Sequence, residues 1–206
     1  MKRIALLATA LAFAACSPAQ EPPPVPTPEV PTAGAEATPP PASNVTLDVL
    51  TADGIGPLTI GMTKDEVVAA VGPTRTPDAV GGPEPESCEE FRPERAPEGV
   101  LVMIVDGKLS RISLVDMSTV KTDKGLGLGD TADAVKTGYG EQAKATPHKY
   151  QDKPAEYITW WKGGPRTEPY VEDAAARGIV YEIDGTGKVG AIHAGSPTIQ
   201  YVEGCA

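Results

Sequence analysis

The sequence predicts an α+β domain: two tandem helix-plus-three-strand repeats forming one antiparallel sheet, with both helices on one face. Three observations carry this expectation. The stretch IGMTKDEVVAAVG, Ile60 to Gly72, returns as LGDTADAVKTGYG, Leu128 to Gly140, with Gly61 over Gly129, Thr63 over Thr131, Val67 over Val135 and Val71 over Tyr139. Each copy is followed by a turn signal between β-rich runs, Asp106-Gly107 and Asp184-Gly185-Thr186-Gly187. The residues after those turns again match in order: Lys108 with Lys188, Leu109 with Val189, Ile112 with Ile192.

The chain has 206 residues, a length whose prior is one domain. Residues 1–15, MKRIALLATALAFAA, start basic at Lys2 and Arg3 and continue uncharged and mostly apolar, as a signal peptide does; the run is too short to span a bilayer. Phe13-Ala14-Ala15-Cys16 resembles the lipobox of a bacterial lipoprotein signal, with Phe13 where leucine is usual. That resemblance implies lipidation of Cys16, and Ser17 after it implies transfer to the outer membrane. The alternative is ordinary cleavage after Ala14, which leaves Cys16 as an unpaired exported thiol. Lipidation of Cys16 leaves Cys88 and Cys205, an even pair expected to form a disulfide in an oxidising compartment.

Residues 16–44 read as a lipidated cysteine and a proline-rich linker. Ser17 to Asn44 holds ten prolines, three acids, no Lys or Arg and no aromatic, so it cannot bury enough apolar surface to fold. Such a composition favours extended polyproline segments that hold a domain off a membrane. The formal charge is −10 before the basic signal is removed and more acidic after it, which argues against nucleic acid and anionic lipid headgroups as partners for the surface at large. Membrane association is expected through the N-terminal lipid alone.

Residues 45–206 form the globular domain, repeat one at 45–118 and repeat two at 119–206. In repeat one, Thr63 and Glu66 have capping-box spacing, Val67, Val68 and Val71 make an apolar stripe, and Gly72-Pro73 stops the helix. In repeat two, Asp130 or Thr131 caps, Val135 and Tyr139 are four apart, and Gly140 ends the helix. Helices this short and rich in β-branched residues do not hold alone and must be pinned to a sheet. The strands are read at Ser87 to Phe91, Val100 to Val105 and Lys108 to Val115, then Glu156 to Trp161, Ile179 to Ile183 and Lys188 to Ala194.

The GIGPLTIGMTKDEVVAAVG stretch, its second copy and the helix-then-three-strand order resemble β-lactamase-inhibitor proteins and the small lipoprotein of the outer-membrane barrel-assembly machine. The resemblance covers roughly Asp53 to Gly195. Its residues are helix caps and core positions, so it implies a fold rather than an activity.

Motifs that suggest chemistry have plainer readings. Gly125 to Asp130 opens a helix like a phosphate loop, but its spacing is not the dinucleotide fingerprint and Gly129 occupies the repeat position of Gly61. Asp184 to Lys188 lacks the further acids of a calcium loop and reads as a hairpin turn. His148 and His193 have no partner at ligand spacing, so no metal is expected; His148 reads as loop and His193 as a solvated strand residue. There is no Gly-x-Ser-x-Gly elbow, and neither catalytic residues nor a cofactor are expected. The expected function is a non-catalytic protein-binding module of the bacterial envelope, on the periplasmic side of the outer membrane. It would act as an assembly accessory or an inhibitor of an envelope enzyme. A structural lipoprotein without a specific partner, or a periplasmic hydrolase, are the alternatives. Strand alternation in Tyr157-Ile-Thr-Trp160-Trp161 splits the two tryptophans between faces, so Tyr157, Trp161, Arg111 and His193 are the expected partner-binding surface. The loop Lys162 to Gly178, folded back over Trp161, is the competing arrangement.

Overall fold

A computed structural model describes residues 46–75, 84 and 86–205. The signal peptide, Cys16 and the proline-rich linker lie outside the described residues.

Helix α1 (Lys64–Val71) begins as its sequence dictates. Thr63 Oγ1 accepts from the Glu66 amide, and Glu66 Oε2 accepts from the Thr63 amide at 2.8 Å, closing the capping box. Helix α2 (Ala132–Tyr139) is capped by Thr131, whose hydroxyl accepts from the Ala134 amide. Both helices end at a glycine of positive φ, Gly72 at 85° and Gly140 at 56°.

The helix starts are tied to the hairpins in the same way in both repeats. Gly61 N donates to Leu109 O, Leu109 N to Met62 O and Lys64 N to Gly107 O; Gly129 N donates to Val189 O, Val189 N to Asp130 O and Ala132 N to Gly187 O. Six matched bonds at equivalent positions show one unit used twice.

The expected single-sheet α+β layout is corrected by the structure: the domain is mostly β, with two eight-residue α-helices among the described residues and two sheets. The large sheet has seven antiparallel strands, β4 (Cys88–Phe91), β5 (Val100–Val105), β6 (Lys108–Leu114), β11 (Val189–Gly195), β10 (Gly178–Ile183), β9 (Glu156–Trp161) and β8 (Ala143–Pro147), in that spatial order. The strand β8 was not predicted, because four of its five residues are exposed and Ala-Lys-Ala-Thr-Pro carries no apolar alternation. A second, mixed sheet joins β3 (Leu58–Thr59), β2 (Gly54–Ile55), β1 (Val49–Thr51) and β7 (Lys121–Thr122). Strands of two or three residues show no period, and the parallel β1–β7 pair joins the two repeats, so nothing local announces this sheet.

The repeats meet at the pairing of β6 with β11, where Ser113 faces His193, Ile112 faces Ala194 and Leu114 faces Ile192. Equivalent positions therefore pair crosswise about a local two-fold axis between Ser113 and His193. Register shifts opposite Ser110 and Gly190 add one residue to each strand. They bring Leu109 and Ile112, and likewise Val189 and Ile192, to the same side although each pair is three apart. That side forms the core with Val67, Val71, Val135 and Tyr139 of the helices and Leu50, Ile55 and Leu58 of the small sheet.

Candidate functional site

The opposite face of the large sheet carries its polar residues. Alternation along β9 sends Ile158 into the core and Trp160 against it, where the Trp160 ring lies 5.5 Å from Tyr139; Trp161 goes to the other face. That face is not open. The passage after β9 folds back and packs Val171 and Ala176 with Trp161, Val180 and Ile199 in a second apolar cluster, leaving Trp161 5% exposed. The placing of Trp161 on an accessible surface is corrected accordingly: the large ring is worth more in a cluster than in water.

Arg111 is corrected in the same way. It is buried under the C-terminal segment, where it pairs with Glu90 and donates through Nη1 to Tyr201 O at 2.8 Å. Burial works against its charge, and the Glu90 carboxylate restores it. Ser110 Oγ meets Thr198 Oγ1 at 3.0 Å, and Gln200 clamps the fold-back by accepting from Val171 N and donating to Val171 O, both at 2.9 Å. Farther on, Glu203 accepts from Tyr150 Oη and Lys149 Nζ.

Cys88 and Cys205 stand at disulfide distance, 2.07 Å between sulfurs, which would staple this segment to β4. Intact mass with alkylation but no reductant should find neither thiol modified. Replacing both by serine should lower stability by about 2–5 kcal/mol, as for a native bridge closing a long loop. Free alkylation of both would rule the bridge out.

His193 lies between Ser113 and Glu182: Ser113 Oγ is 2.8 Å from Nδ1, and Glu182 Oε2 is 3.7 Å from Nε2. The three side chains have the composition of a hydrolytic triad. Ser113, however, is 1% exposed, so an acyl group has no approach to it. Glu182 also meets His148, with Nε2 3.1 Å from Oε1. His148 Nδ1 accepts from the Tyr150 and Gln151 amides, which leaves the proton on Nε2 and makes that nitrogen a donor to Glu182 rather than a metal ligand. Its ring stacks on Tyr157 at 4.6 Å. Sequence reading missed both His148 and Glu182, because each depends on a partner more than thirty residues away.

Between the fold-back and the C-terminal segment lies a cleft of about 210 Å³. Tyr157, Val180, Glu182 and His193 are among its lining residues from the sheet, while Tyr170, Tyr201 and Val202 line it from the two covering segments. Tyr157 and His193, placed on the binding face from sequence, are thus brought together here, and Arg111 lies outside the lining. Comparison with protein-family models, curated proteins and solved structures finds no match.

The nearby His193 imidazole is the largest influence holding the Glu182 carboxyl below its ordinary 4.5, ahead of the opposing effect of burial. Burial pushes the His193 imidazole below 6.5, against the Glu182 carboxylate that favours its charge; Arg111 adds to the lowering, and Glu90 opposes it. Both folded values are depressed, so both contributions to stability are present at high pH and lost on acidification. The unfolded chain takes up the histidine proton near 6.5, so the thermal midpoint should fall as pH drops from 7.5 towards 5.5. It should fall again below 4.5 as Glu182 protonates. A His193→Gln variant should flatten the first decline, and an identical decline in that variant would refute the assignment.

Proposed function

We propose that this protein is a lipid-anchored lipoprotein of the bacterial envelope, held on the periplasmic side of the outer membrane. Its domain is a non-catalytic protein-binding module that makes contact at the cleft. The observation that carries this reading is the cleft mouth, where Tyr170, Tyr201 and Val202 are 46%, 40% and 41% exposed beside a concave floor. Exposed aromatic side chains around a pocket are the residue mix that anchors protein partners. The hydroxyl that meets the His193 imidazole belongs to Ser113, which is 1% exposed and so closed to a substrate. The Phe13-Ala14-Ala15-Cys16 lipobox supports the anchor.

The test is paired. Palmitate labelling and membrane fractionation of Cys16→Ala should show loss of both label and membrane association. Retention of both would sink the anchor. Stoichiometric capture of one envelope protein by the wild-type chain, lost in Tyr170→Ala/Tyr201→Ala with an unchanged thermal midpoint, supports the module. Capture that ignores both tyrosines would move the contact away from the cleft.

A further inference from the structure

We infer that the cleft takes a lysine or arginine side chain presented by an extended segment of a protein partner, with Glu182 as its counter-charge. The inference rests on the binding-module reading and names the chemistry of the partner. The floor holds a carboxylate that is partly exposed towards the cleft while the two histidines hold it from the sides. Its walls are aromatic: Tyr157, Trp161, Tyr170 and Tyr201 all line the space. Four of the six tyrosines of the chain, with Tyr150 beside the C-terminal wall, are gathered at or next to this one cleft. Aromatic faces around a carboxylate attract an organic cation twice, through the ring quadrupoles and through the charge.

Size and field agree with that occupant. A space of about 210 Å³ holds one long side chain with its headgroup rather than a folded element. Arg166 and Glu168, also in the lining, are opposite in formal charge, and Lys144 is exposed enough to swing into water, which leaves the Glu182 charge to decide selectivity. The chain as a whole carries −10, so a basic partner is drawn in and an acidic one repelled.

The experiment is a chemical-shift titration of the full chain in detergent with acetyl-Gly-Gly-X-Gly-Gly-amide peptides, X being arginine, lysine, citrulline or glutamate. Arginine and lysine peptides should shift Val180, Glu182 and His193 saturably, citrulline should bind about tenfold more weakly, and the glutamate peptide should leave these residues unmoved. Glu182→Gln should erase the difference between arginine and citrulline. Because Glu182 also holds two histidines, a second variant guards against a folding defect: Thr159→Lys supplies an ammonium from the cleft wall and should block the arginine peptide with the thermal midpoint unchanged. Equal binding of arginine and citrulline, preference for glutamate, or shifts confined to another surface would each overturn the inference. Partner capture that needs Tyr170 and Tyr201 but ignores Glu182→Gln would overturn it while leaving the binding module standing.

Discussion

Trp161→Ala should lower the stability of the domain by about 3–5 kcal/mol, the range for removing a large aromatic from a packed core. The ring is the centre of the second cluster, against Val171, Ala176, Val180 and Ile199. The fit is close enough to restrict its neighbour: a Cβ on Gly178 would lie 2.6 Å from the Trp161 ring and 2.6 Å from the Trp160 carbonyl. Removing the ring takes the support from beneath both covering segments together, so the cleft and the domain should weaken in one step. Urea unfolding followed by far-ultraviolet circular dichroism measures the loss. A midpoint within experimental scatter of wild type would show that the fold-back does not depend on Trp161.

Glu90→Ala should cost about 3–5 kcal/mol, because it strands the Arg111 guanidinium in a site built for a pair. Arg111 is 3% exposed, and its remaining hydrogen bonds go to the carbonyls of Thr198 and Tyr201, which carry no full charge to match it. Gly204 packs against the Glu90 carboxylate, so the C-terminal segment should loosen as well. Replacing both partners by apolar residues of similar volume, Glu90→Leu with Arg111→Met, should recover most of the loss, since desolvation of two ions then disappears along with their attraction. Urea unfolding free energies of Glu90→Leu, Arg111→Met and the double give the coupling directly. A double variant no more stable than Glu90→Ala would mean that the pair stabilises the fold outright.

The features legible from the chain alone are those that neighbouring residues settle. The capping box of Thr63 and Glu66, the glycine stops at Gly72 and Gly140, and the Asp106-Gly107 turn, with both φ angles positive, are each complete within a few residues. The repeat was legible for the same reason, since the same caps and turns had to be written twice. Alternation likewise separated Trp160 from Trp161, because side-chain direction in a strand follows from local geometry. It could not say which face would be covered. Burial of Trp161 and Arg111 depends on segments beginning at Lys162 and Ser196, whose loop composition carries no period, and on Cys88 and Cys205 standing together across the chain. The small sheet needed β7 to meet β1 across more than sixty residues, and the cleft needed Glu182, His148 and His193 to converge from three separate parts of repeat two. Those meetings are governed by shape and buried area over the whole domain, so no local stretch of residues announces them.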